Sequence, residues 1–275
     1  MRFFVSCMLA VSATTALAQS ALPSCYEYAK LPAANLASNT ELFVVIDQTT
    51  PLDASLQQSV ANNMKPFLEA GNTFSVMQFS AFTQGHYTDV LTNATLDHAL
   101  EADARKDIGK NQLAKFDQCM AIQSPNAAKL AGAALRKAFS GTSSDVAKSD
   151  VLGSLKDISN KIKQSSAKQK VVLLASDMLE NSSISSFYAK QAVRQIDPQK
   201  ELKLVADNQL FADFGGAKVY VIGAGLLTAD ASKPKGVYRD PKTMAALQQF
   251  WRTYFEKSNA KLVEFGQPAL LNPLR

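Results

Sequence analysis

With 275 residues, 47% of them hydrophobic and 19% charged, the chain has the balance of a globular protein with room for one large domain or two small ones. Its formal net charge of +5 is mild and its basic residues are not interleaved with aromatics, which excludes a nucleic-acid face as the organising feature. Beyond the first residues, no stretch approaches the roughly eighteen apolar residues that a spanning helix needs.

Arg2 is followed by an apolar stretch over residues 3–17 and by Ala16-Leu17-Ala18. A basic start, a short apolar core and a small-residue exit predict a secretory signal peptide over residues 1–18. The alternative, an uncleaved membrane anchor, is opposed by Ser6, Ser12, Thr14 and Thr15, which make the stretch too polar. The expected mature chain is exported, to the periplasm in a Gram-negative cell and otherwise to the medium, with no transmembrane segment. Cys7 leaves with the signal, so Cys25 and Cys119 remain. Two cysteines in an oxidising compartment predict one disulfide, with two unrelated thiols as the alternative. His86 and His98 lie too far apart in sequence to complete a structural zinc site with them.

Residues 19–40 read as a tail containing Pro23 and Pro32. Leu42-Phe43-Val44-Val45-Ile46 is apolar on both faces and stops at Asp47, the pattern of a buried central strand. Thr50-Pro51-Leu52-Asp53 predicts a helix start, with Thr50 as the cap and Pro51 in the first turn. Leu52, Leu56, Val60 and Met64 then recur at helical spacing as far as Gly71. Residues 73–79 and 83–92 predict two strands turned at Gly85, the second antiparallel at a sheet edge. Residues 96–139 are mostly helical in pattern, broken at Ser124-Pro125, and Ser149 or Asp150 caps a helix through Leu152, Leu155, Ile158 and Ile162. Lys156, Lys161, Lys163, Lys168 and Lys170 fall on the solvated face of that region.

A second buried strand, Val171-Val172-Leu173-Leu174-Ala175, runs through Ser176 into Asp177. Residues 178–188 are irregular, and 189–196 read as helical before Pro198. Residues 219–222 form a third β-branched run, 242–257 a helix, 261–265 a last strand, and 267–275 a carboxyl-terminal tail. Strands separated by helices, with no linker and no repeat, predict one α/β domain over residues 41–266. Its sheet is mainly parallel and doubly wound (Rossmann-like), with helices on both faces and one antiparallel edge strand.

Two central strands that end in acids point to the carboxyl edge of the sheet, where open α/β folds place their ligands. Asp47, Thr49, the 143–149 loop and Asp177 are expected to converge there, a hard-oxygen set suited to Mg²⁺ or Mn²⁺. Ile46-Asp47-Gln48-Thr49, Ser149 ahead of Leu152-Gly153-Ser154-Leu155, Leu174-Ala175-Ser176-Asp177 and Val219-Tyr220-Val221-Ile222-Gly223 resemble, in order and rough spacing, the von Willebrand factor type A domain. The resemblance implies a metal-ion-dependent adhesion site, with a first loop of the form Asp-x-Ser-x-Ser, a Thr from a second loop and an Asp from a third. A partner's acid supplies the last ligand in that family. By position, Asp47 and Thr49 match the first loop, Ser149 the second (with Ser143 and Ser144 as rivals) and Asp177 the third. Pro51 stands where the second hydroxyl belongs, a departure that weakens an octahedral Mg²⁺ site.

Structural roles compete at each position: Asp47 can bond backbone amides ahead of the next helix, and Asp177 can cap the turn at Glu180-Asn181. Met178-Leu179 and Phe187-Tyr188 flank the third loop, either as an apolar rim for a partner or as cover for the sheet's end. Gly223-Ala224-Gly225 is followed by Thr228 where a dinucleotide fingerprint needs glycine. The expected function is that of an exported, non-catalytic module that binds another protein through this edge. The alternative is a metal-assisted hydrolase using Asp47 and Asp177, opposed by the lack of an added base or a phosphate-gripping loop. A small-molecule carrier would need two lobes and a hinge, and no hinge composition is present.

Overall fold

The computed structural model describes residues 20–33, 36–82, 85–142, 149–189, 192–227 and 240–275. The signal-peptide expectation and the rival serines Ser143 and Ser144 lie outside these residues.

The strands are β1 (Thr40–Asp47), β2 (Thr73–Phe82), β3 (Gly85–Thr95), β4 (Gln169–Ala175), β5 (Tyr188–Ala189), β6 (Ala192–Val193), β7 (Ala217–Ile222) and β8 (Ala260–Phe265). The helices are α1 (Cys25–Tyr28), α2 (Ala54–Met64), α3 (Lys110–Ser140), α4 (Val151–Gln164), α5 (Pro198–Asp207) and α6 (Pro241–Lys257). Six strands form one sheet in the order β3-β2-β1-β4-β7-β8, while β5 and β6 make a separate small hairpin. All neighbours in the large sheet are parallel except β2 and β3. The structure is therefore the α/β sheet with one antiparallel edge strand that the pattern predicts.

Alternation along each strand divides the core in two, because successive side chains point to opposite faces. Phe43, Val45, Val172, Leu174, Val219 and Val221 pack with side chains of α4, α5 and α6. Leu42, Val44, Ile46, Val171, Leu173 and Ile222 pack with α2 and α3. A strand buried on both faces must be apolar at every position, which is why β1 and β4 read as unbroken hydrophobic runs. Fully burying each such side chain contributes about 1.5–3 kcal/mol.

Several elements differ from the sequence reading. α3 runs unbroken through Pro125. Proline there forfeits one helical hydrogen bond, but Phe116, Cys119, Gln123, Ala127, Ala131 and Ala134 keep a continuous buried face on both sides of it. The helical expectation for 96–109 fails: its only helical turn is the 3-10 turn Ala104–Asp107. α2 is capped by Asp53, whose side chain accepts from Leu56 N at 2.8 Å, and not by Thr50. In place of a helix at 189–196 there is the β5–β6 hairpin, and α5 follows it, capped by Asp197 with Pro198 in its first turn.

The amino-terminal segment is not a loose tail. Cys25 and Cys119 form a disulfide, with an S–S distance of 2.01 Å and a Cα–Cα distance of 5.5 Å. The Asp97 carboxylate accepts from Cys25 N (2.6 Å), Ser24 Oγ (3.2 Å) and Gln123 Nε2 (3.0 Å). The carboxyl-terminal residues dock as well: Leu274 N donates to Asn63 Oδ1 and Tyr220 Oη to the Arg275 carbonyl. Lys156, Lys163, Lys168 and Lys170 tie this region to neighbouring loops through Gln209 O, Asp213, Asn39 and Gly215 O. Among the described residues, no helix is long and apolar enough to cross a membrane.

Candidate functional site

Parallel pairing sets Ile46 opposite Ala175, so the chain leaves β1 at Asp47 and β4 at Ser176-Asp177 side by side. Asp47 is fully buried. Its Oδ1 accepts from Thr49 N (2.9 Å) and Thr49 Oγ1 (2.6 Å), and its Oδ2 accepts from Ser176 Oγ (2.7 Å). Thr50 Oγ1 accepts from Asp177 N at 3.1 Å, and its hydroxyl favours the charged form of the Asp47 carboxyl. Thr49 Oγ1 lies 3.1 Å from Ser149 Oγ. Ser149 reaches the cluster because its backbone pairs with Asn181 in both directions, immediately before α4. Asp177 accepts from Leu179 N at Oδ1 (2.8 Å) and from Tyr188 Oη at Oδ2 (2.8 Å).

Thus Asp47, Thr49 and Ser149 touch in sequence, and Asp177 joins them through Thr50 and Ser176. The backbone bond from Thr49 to Asp47 is the local amide role weighed for that acid, and Leu179 N supplies the like for Asp177. Sequence reasoning gave Thr50 only a helix cap and Tyr188 only a place in an apolar rim or cover, and gave none of Thr50, Ser176 or Tyr188 a bond to the acids. The first two lie within the motif stretches, whereas no periodicity points to Tyr188.

Neighbouring elements hold the edge in place. Gln48 Nε2 donates to the Ala138 carbonyl at the end of α3 (2.9 Å). Gly225 N donates to the Asp177 carbonyl, and Gly223 has φ +102°. A Cβ on Gly223 would stand 3.0 Å from the Ser176 carbonyl, so its glycine serves close approach of two loops. Met178 and Leu179 are fully buried, and Trp251 Nε1 donates to the Met178 carbonyl at 2.8 Å. Phe187 packs edge-on against Phe250 and Trp251. Of the four apolar residues flanking the loop, three therefore cover the sheet's end and only Tyr188 is partly exposed.

Burial dominates the electrostatics. It pushes the Asp47 carboxyl above the usual range despite the hydroxyls that favour its charged form. Asp177 is pushed up to about 8, first by burial and then by the neighbouring Asp47 charge. Burial and the Asp177 carboxylate also raise the Tyr188 phenol, which stays a proton donor at neutral pH. Just beyond, Glu180 is fully buried, bonds Leu152 N through Oε2 at 2.9 Å and is pushed up to about 8, mainly by burial. It shares the first turn of α4 with Asp150, which accepts from Gly153 N at 2.7 Å.

Mg²⁺ requires near-octahedral oxygen donors at about 2.1 Å. The residues present do not fit that demand. Every carboxylate oxygen of Asp47 and Asp177 already accepts from a protein donor, and Pro51 offers no side-chain oxygen. Tyr188 Oη already occupies one acceptor site of Asp177 Oδ2. Among the described residues, no group of three or more His, Cys, Asp or Glu is arranged to hold a metal ion.

The architecture is that of a doubly wound α/β domain with a polar cluster at the carboxyl edge of its sheet. No protein-family model and no curated protein matches the chain. Among solved structures it is similar to an aerotolerance-related membrane protein from Bacteroides fragilis, at 8% identity and a TM-score of 0.35, over 85% of this chain and 92% of that one. It is also similar to the N-terminal domain of TFIIH p34, at 13% identity and a TM-score of 0.30, over 78% of this chain and 96% of that one.

Proposed function

We propose that this chain is an exported, non-catalytic protein-binding module of the von Willebrand factor type A kind, recognising another protein through the carboxyl edge of its sheet. The reading is carried by Thr49 Oγ1, which stands 2.6 Å from Asp47 Oδ1 and 3.1 Å from Ser149 Oγ and so joins the positions that resemble the first and second loops of that family. The order of strands and the third-loop acid Asp177 agree with it. The Cys25–Cys119 disulfide supports an oxidising compartment, in line with the signal-peptide pattern at Arg2 to Ala18. The burial of both acids supports a binding role over a hydrolytic one, since neither carboxyl is open to water that it could activate.

The test compares capture of exported proteins by the wild type, by Pro51→Arg in the loop after β1, by Ser183→Arg, an exposed position in the loop after β4, and by Lys168→Glu in the loop before β4 at the opposite end. Loss of the same partner in both edge variants, with retention by Lys168→Glu, is the expected result. Equal capture by all four removes the edge as the recognition surface. Turnover of phosphate esters with Mg²⁺ or Mn²⁺, abolished by Asp47→Asn, would replace the binding reading with the hydrolase.

A further inference from the structure

We propose that Tyr188 is the internal group that closes this acid–hydroxyl cluster, so that the edge works without a divalent cation. The inference holds whether or not the edge binds a protein. Its basis is that each carboxyl oxygen of the two acids has a donor from the protein itself. Leu179 N takes Asp177 Oδ1, Tyr188 Oη takes Asp177 Oδ2, Thr49 takes Asp47 Oδ1 and Ser176 takes Asp47 Oδ2. Tyr188 is the only one of these donors that comes from outside the loops leaving β1 and β4, and it arrives on the β5 strand eleven residues after Asp177.

The segment bearing Tyr188 is fixed on both sides. Phe187 N donates to the Glu180 carbonyl (2.7 Å) and Arg194 N to the Phe187 carbonyl (2.9 Å). The Arg194 guanidinium pairs with Glu201 at 2.6 Å, bonds the Ser186 carbonyl and lies over the Phe187 ring. Phe187 itself is locked between Phe250 and Trp251. A phenol set between such anchors does not swing aside at little cost. A cation taking Asp177 Oδ2 from the side that Tyr188 covers would displace the phenol and leave a half-buried hydroxyl without its acceptor. Pro51 removes an oxygen from the same place, so the two departures act together: one ligand is missing and another direction of approach is covered.

The experiment uses the purified, chelator-treated protein as wild type, Tyr188→Phe and Asp177→Asn. Mn²⁺ is the probe, read by the electron paramagnetic resonance signal of free ion, and melting is followed with and without excess Mg²⁺. The wild type is expected to leave all Mn²⁺ free and to melt at the same temperature with and without Mg²⁺. Tyr188→Phe is expected to melt about 2–4 °C lower and to lose a slowly exchanging hydroxyl proton resonance that the wild type shows. One Mn²⁺ retained per wild-type chain and released by Asp177→Asn would overturn the proposal. So would a Tyr188→Phe protein that melts with the wild type and lacks no hydroxyl resonance. Retention confined to the surface, and therefore unchanged in Asp177→Asn, leaves the cluster metal-free and supports it.

Discussion

Ser176 donates its hydroxyl to Asp47 Oδ2 at 2.7 Å, binding together the loops that leave the two central strands, 129 residues apart in sequence. The same oxygen accepts from Met178 N at 3.0 Å. Ser176→Ala therefore strips a donor from a buried acid and an acceptor from a buried amide. We expect a loss of about 1–3 kcal/mol in chemical denaturation. A variant as stable as the wild type would show that the hydroxyl is not bonded as described.

Asp177 and Glu180 both have carboxyls pushed up to about 8 from ordinary values of 3.8 and 4.5. A folded-state value above the unfolded one means that the native chain holds protons the unfolded chain has released. Stability is then fully present below the unfolded values and is lost as pH rises toward about 8. Urea melts between about pH 5 and pH 8 should show this decline. Glu180→Gln should flatten it and raise the melting temperature at the alkaline end, because the amide carries no charge to desolvate. A steeper decline in that variant would refute the assignment.

The strands and the chemistry of their ends were legible because burial on both faces leaves only one reading for residues such as Val44 and Leu173. The disulfide followed from a count of cysteines. Other features turn on choices that local pattern does not make. Thr50 can cap a helix or accept from a remote amide, and the structure gives the cap to Asp53 and the Asp177 amide to Thr50. Pro125 carries a breaker's signature, yet tertiary burial on either side holds α3 together. The Asp197-Pro198 start of α5 was available in the sequence but was hidden by the helical spacing assigned just before it. Tyr188 was not legible as a partner of Asp177, since its reach depends on an irregular connection without periodicity.

Gly223 turns the chain with φ +102° where a Cβ would meet the Ser176 carbonyl at 3.0 Å and Leu52 at 3.2 Å. Gly223→Ala is expected to cost about 1–3 kcal/mol and to lower the melting temperature. Gly216→Ala, at φ +82° with nothing near it, should cost less, because only the backbone preference is violated. Equal losses would mean that loop contact at Gly223 contributes nothing.

Cys25 and Cys119 close a separation of 94 residues. Non-reducing peptide mapping should recover them as one linked pair. Cys25→Ser is expected to cost about 2–4 kcal/mol while the strand content seen by circular dichroism stays unchanged. The cysteines pack with Tyr26, Ala29 and Phe116 in a cluster separate from the two faces of the sheet. Loss of the sheet signal in that variant would contradict the separation.

α3 carries Cys119 in its first half and, near its other end, the carbonyl that holds Gln48 beside Asp47. From Cys119 to Ala138 that is about 28 Å of uninterrupted rod at 1.5 Å per residue. One continuous helix thus spans the distance between the amino-terminal cross-link and the side chain next to the buried acids.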